Sequence, residues 1–228
     1  MLTAKDVIML TDYYPGLINK SFWWFCQTVI SGLILTVITI GIATAQTVQP
    51  KEIEDSTAVV EKFYTKLLEA MKGGKKIGYA GRHTILEPVI REVFAFNIIV
   101  RISSGKYWQT LTTEQRERLI ELYRQWSTAV YARQYDSFNG QCFKVTLPEK
   151  PWGNSVNVDA RMIKKSGDEV SFLYKLIKVK GRWQIVDIHV KGISQLAMMR
   201  AQFISIMEHD GFDGLEKELL EKTEALLR

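Results

Sequence analysis

Apolar residues along this chain recur at two periods, and the change from one to the other divides it. From Ser56 to Met71, Val59, Val60, Phe63, Tyr64, Leu67, Leu68 and Met71 return at steps of three and four. That spacing predicts one helix with a single apolar face, capped by Asp55 or Ser56 and ended by Gly73-Gly74. A second helical region runs from about Arg82 to Ile102, with an interruption expected near Pro88 and a stop at Ser103-Ser104-Gly105. It contains Phe94 and Phe96 and is apolar on more than one side, which is more than a surface helix needs. Thr112 with Gln115 makes a capping box for a third helix that reaches about Tyr135 and carries Tyr131.

Beyond Asn139-Gly140 the period becomes two. Phe143, Val145 and Leu147 alternate with polar residues, and Val156, Val158, Ala160 and Met162 do the same. The runs Val170 to Lys178 and Trp183 to Val190 follow, joined by a turn at Lys180-Gly181. Strands with such short connections pair antiparallel, and a sheet with one apolar face needs helices to cover it. Helices over about Ser194 to Glu208 and Asp213 to Leu227 close the chain, separated at His209-Asp210-Gly211. The expected class is α+β: helices, a four-stranded antiparallel meander, then two helices. On the third strand Val170, Phe172, Tyr174 and Leu176 share one face, expected to look toward the helices.

The first 45 residues have another character. Thr28 to Ile42 is an uncharged apolar run, preceded by Lys20 and followed by Ala43-Thr44-Ala45, the small-residue pattern of a signal-peptidase site. The expected division is a signal peptide over 1–45 and a single exported domain over 46–228. The competing reading is a retained anchor in the inner membrane facing the periplasm, because Phe22, Trp23, Trp24 and Phe25 lengthen the apolar stretch. Lys5, Lys20, Asp6 and Asp12 cancel, so the remainder keeps the whole formal charge of +5. Lysines and arginines are interspersed with carboxylates, and export disfavours nucleic acid as a partner. Once residues 1–45 are removed Cys142 has no cysteine partner, so the core must hold the fold unaided.

Candidate chemistry is sparse. His83, His189 and His209 are scattered without carboxylates or cysteines at ligand spacing, so neither a metal nor another cofactor is expected. Asp187 and His189 share a strand face and Ser194 follows soon after, which outlines a hydrolase triad. Gly192-Ile193-Ser194 lacks the second glycine of a nucleophile elbow, however, and a serine at a helix start is usually its N-cap.

Several ordered groups resemble one family. Trp183, Asp187, Gly192, Ser194, Arg200 and Phe203 follow the C-terminal signature of the MlaC and toluene-tolerance proteins. Tyr107-Trp108 before the Thr112 to Arg116 helix start, Tyr131-Ala132, Tyr135 and Gly140 are similar to it as well. The segment GISQLAMMRAQF and the helix end at Met71-Lys72 look closer to the hopanoid-locus branch, HpnM. Phe94-Ala95-Phe96 departs from the family, which often places an aspartate between two aromatics. The resemblance implies a cone-shaped fold related to nuclear transport factor 2, with an apolar pocket for acyl chains. It implies a periplasmic shuttle for phospholipid or a hopanoid-type lipid, without catalysis. Its docking partners would be an inner-membrane ABC-type lipid transporter and an outer-membrane lipoprotein complex.

The pocket requirement is physical: burying ten methylenes is worth roughly 8 kcal/mol, at about 0.8 each, and a carrier must offset that. Phe94, Phe96, Tyr131, Val170, Phe172, Tyr174 and Leu176 are the expected lining. Arg200 is either a phosphate ligand at the mouth or half of a structural ion pair. Two other readings remain open from the residues: a small exported enzyme, or an assembly protein with a filled core and no ligand.

Overall fold

The computed structural model describes residues 50–148 and 151–227, which lie in one compact unit. The expected signal peptide lies outside the described residues. Helix α1 covers Pro50–Val93 but is broken by Gly74 (φ 48°, ψ −133°) and Gly78 (φ 64°, ψ −173°). Both glycines occupy a backbone region that residues with a Cβ avoid. The chain reverses there, so α1 is a helical hairpin, and Lys62 on one arm meets Glu92 on the other at 2.6 Å. Val60, Phe63, Tyr64, Leu67 and Met71 of the first arm and Leu86, Val89, Ile90 and Val93 of the second are buried, as the three- and four-residue spacing requires.

The expected interruption at Pro88 is not found. Helix runs through it, and the break falls at Phe94–Ala95, where the Ala95 amide donates to the Ile185 carbonyl at 2.9 Å. Burial of Leu86, Val89 and Ile90 on either side of the proline outweighs the one hydrogen bond it removes. Helix α2 (Phe96–Ser104) then leads through a 3-10 turn (Gly105–Gln109) into α3 (Thr113–Gln134). The capping box at α3 is present in both halves: the Gln115 amide donates to Thr112, and the Thr112 amide donates to the Gln115 side chain.

Strands β1 (Cys142–Val145), β2 (Ser155–Ile163), β3 (Glu169–Val179), β4 (Arg182–Val190) and β5 (Ile193–Ser194) form one antiparallel sheet in chain order. The count is five rather than four. The extra strand is two residues long and pairs Ile193 with Val190 across Gly192 (φ 84°), too short for alternation to reveal. Helices α4 (Gln195–His209) and α5 (Gly211–Leu227) complete the α+β fold.

One sheet face carries Val156, Val158 and Ala160 of β2 against Leu176, Tyr174 and Phe172 of β3, and packs on α1. Ile185 and Ile188 of β4 join the same face because a bulge at Val186 inserts one residue between them. Without it Ile188 would point away from Tyr174, its partner across the strands.

Candidate functional site

The expected lining residues converge, with one exception. Phe94 stands 5.5 Å from Phe63 and 5.7 Å from Phe96, centroid to centroid, while Tyr131 lies 5.1 Å from Phe63. Tyr174 meets Tyr64 edge-on at 5.7 Å and is 6.2 Å from Phe172. Leu176 is buried beside them, and Val170 is half-buried at the far end of the same strand face. Together with Tyr135 and Phe143, these rings pack into an aromatic chamber between the α1 hairpin, α3 and the sheet that is filled by its own side chains, Phe63, Tyr174 and Leu176 being at most 2% exposed. Ring pairs at these separations add to the apolar burial.

Phe63 and Tyr64 join both sides of the chamber, and the sequence marks them only as helix-face residues. Their part in it depends on which way the hairpin turns, and nothing in the periodicity encodes that direction.

The chamber is uncharged. Burial pushes the Tyr64 phenol far up, with the approach of the Tyr174 hydroxyl pulling the other way. Burial likewise holds Tyr174 well above its ordinary value, reinforced by Tyr64, and raises Tyr135 to about 12. All three stay neutral wherever the protein is folded, so the lining offers ring faces and hydroxyls and no ionic site.

Arg200 stands apart on an exposed part of α4. Its Nη1 donates to the carbonyl of Ile102, and a Cβ placed on Gly105 would come within 3.2 Å of its guanidinium. A cation there satisfies a carbonyl at the end of α2, where the helix dipole favours it.

The outlined triad resolves into a structural knot. Asp187 accepts from Ser194 Oγ at 2.7 Å and lies 3.0 Å from His189 Nε2, while its other oxygen accepts the Leu196 amide at 3.0 Å. Ser194 in turn accepts the Ala197 amide at 3.0 Å as the N-cap of α4. The carboxylate thus sits between serine and histidine, where a triad needs the histidine. These bonds fasten the start of α4 to β4, and Asp187 complements the helix dipole.

Two features were not foreseen. Arg82 is buried at 5% exposure, and donates to the carbonyls of Ala132 (2.7 Å) and Gly74 (2.8 Å), clamping the hairpin break onto the end of α3. A groove of about 270 Å³ between α1 and the β3–β4 turn is lined by Asp55, Val59, Lys62, Glu92, Arg182 and Trp183. It is small beside the roughly 300–1,000 Å³ of ordinary ligand pockets, and its charged rim does not suit acyl chains. Among the described residues no group of histidine, cysteine or carboxylate side chains could hold a metal, and no helix is long and apolar enough to cross a membrane.

Comparison with known proteins agrees with this architecture. The toluene tolerance protein ttg2D of Pseudomonas putida is 26% identical over 162 residues, covering 68% of this chain and 74% of that protein. The intermembrane phospholipid transport system binding protein MlaC of Haemophilus influenzae is 24% identical over 116 residues, 49% of this chain and 54% of that one. A phospholipid-binding protein from Ralstonia solanacearum, solved in complex with a phospholipid, shares the fold. The two superpose with a TM-score of 0.66 at 20% identity, over 76% of this chain and 99% of the other. The family model described as MlaC protein matches residues 61–221, from the first arm of α1 into the last helix, and the chain belongs to that family.

Proposed function

We propose that this protein is a periplasmic phospholipid carrier. Acyl chains enter between the α1 hairpin and the sheet, and the lipid passes between membrane complexes unchanged. Membership of the MlaC family carries this reading. The names of the relatives and the phospholipid held by the protein from Ralstonia solanacearum support it, as does a chamber whose polar groups stay uncharged. Phe94, Phe96, Tyr131, Val170, Phe172, Tyr174 and Leu176 are the proposed lining, and a hopanoid-type polycyclic lipid is an alternative cargo for the same ring faces. An inner-membrane ABC-type lipid transporter and an outer-membrane lipoprotein complex are the proposed docking partners. Export ends with cleavage before Gln46, which N-terminal sequencing of the exported form checks.

The deciding experiment is mass spectrometry of the organic extract from protein purified out of its own periplasm. One diacyl phospholipid per protein is the expected result. A lipid-free preparation whose melting point does not respond to added lipid would sink the proposal and favour a filled core.

A further inference from the structure

Three connections meet at one end of the sheet, and two of them, the 74–78 break of α1 and the β2–β3 turn, carry lysine pairs. The 74–78 break of α1 lies against the 136–141 connection: a Cβ on Gly74 would come 3.3 Å from the Asp136 carbonyl, and Lys72 Nζ sits 5.4 Å above the ring of Phe138. Gly140 in turn abuts Lys165 of the β2–β3 turn, whose Cβ would lie 3.6 Å from a Cβ built on that glycine. Arg82 ties the break to the last turn of α3, which carries Arg133. Lys72, Lys75, Lys76, Arg133 and Lys165 are all exposed, and no carboxylate forms an ion pair with any of them among the described residues. The nearby carboxylates are Asp136, Asp168 and Glu169, the second accepting a hydrogen bond from Ser166 at 2.9 Å and the third paired with Arg161 at 3.1 Å. Phe138, 38% exposed, places an apolar ring among the lysines.

The opposite end of the sheet differs. Trp152 is 89% exposed there and Leu147 is exposed as well, but the cations are fewer and stand among carboxylates: Lys178 holds Glu52 at 2.8 Å and Arg182 shares its groove with Asp55 and Glu92, with Lys180 exposed in the turn between them.

We infer that the basic tip around Lys75, Lys76, Arg133, Lys165 and Phe138 is the face on which this protein settles on an anionic phospholipid bilayer. The inference rests on the lipid-carrier reading, since a carrier must reach its cargo in or beside a membrane. Clusters of four or more lysines and arginines beside an apolar group bind anionic headgroups by charge, with the ring entering the interface. Lysines suit a bilayer because their compact charges need no fixed bidentate geometry.

Vesicle flotation tests it, with vesicles of phosphatidylcholine alone or carrying about one third phosphatidylglycerol. Wild type is expected to float with the anionic vesicles only, and to detach at high salt as the Debye length falls to about 3 Å at 1 M. The double variant Lys75→Glu/Lys76→Glu is expected to lose at least about 25-fold in affinity, at roughly fivefold per lysine. Lys165→Glu, on a different element, is expected to lose about fivefold, and Trp152→Ala to bind as wild type. Bound lipid and melting point are measured on each variant, so that failure to carry lipid is read separately from failure to dock.

Equal flotation with neutral vesicles would overturn the inference, as would anionic binding that survives both lysine variants. Loss on Trp152→Ala alone would place the contact at the other end and equally overturn it. Protein that carries lipid yet ignores every vesicle would overturn it as well, while leaving the carrier reading intact.

Discussion

At the scale of single residues, the Tyr64 hydroxyl is buried and makes no hydrogen bond, and the approach of the Tyr174 hydroxyl is the polar contact left to it. Removing the Tyr174 hydroxyl by Tyr174→Phe leaves the buried Tyr64 phenol without its polar neighbour, at an expected cost of about 1–2 kcal/mol. Tyr64→Phe in the same background should recover part of that loss, because an apolar pair needs no partner. Denaturant midpoints for the two single variants and the double variant give the coupling directly, and simple additivity would show the hydroxyls to be independent.

His83 gives a second residue-level expectation. Burial lowers its pKa from the ordinary 6.5, against a smaller upward pull from Glu87. The unfolded chain then takes up a proton at higher pH than the folded one. Stability conferred by the neutral ring is full above about pH 6.5 and is lost as pH falls toward the folded pKa. Melting temperature should drop on acidification from about pH 7.5 to 5.5, and drop less in His83→Gln; equal slopes would remove His83 as the cause.

At the scale of elements, the hairpin of α1 hangs on Arg82. Its guanidinium holds carbonyls from two helices in a buried setting, so Arg82→Met should cost about 3 kcal/mol or more, read as a fall in melting temperature. Arg82→Lys, keeping charge but losing the fork, should fall in between. A variant as stable as wild type would mean that the break is held by packing alone.

The same element shows what the sequence can and cannot reveal. Alternation located four strands, and the Thr112 and Gln115 pair located the start of α3, because both signals are local. Pro88 misled: proline opposes helix locally, while the apolar residues flanking it are buried only through distant contacts. Arg82 was invisible because its acceptors, Ala132 and Gly74, are backbone atoms 50 and 8 positions away, and any residue type offers a carbonyl. Of the chamber, the rings on β3 were legible from their alternation, whereas Phe63, Tyr64, Tyr135 and Phe143 enter it only through packing of the hairpin.

At the scale of the whole molecule, the chamber and the basic tip obey different physics, and solution conditions can separate them. Retention of lipid inside the protein should be flat between about pH 5 and 9, because Tyr64, Tyr135 and Tyr174 remain neutral throughout, and insensitive to salt. Lipid counted by mass spectrometry after dialysis at each pH checks this; a stepwise loss near neutrality would mean that an ionised group holds the cargo. Delipidated protein should melt at lower temperature than loaded protein, since a ligand bound only to the folded state stabilises it.

The order of the sheet bears on how such a molecule reaches that state. Every strand pairs with its neighbour in the chain, and the arms of α1 pair across a short break. Local pairings close small loops, so their entropic cost is low and folding is fast for an α+β domain. The strands that finish the sheet are four and two residues long, so β1 covers β2 only over Ala160–Ile163 and β5 covers β4 only at His189 and Val190, with the Ile185 carbonyl taken by the Ala95 amide. A protein exported as proposed gains from this arrangement, because quick closure of the sheet shortens the time its apolar residues stand open to other chains.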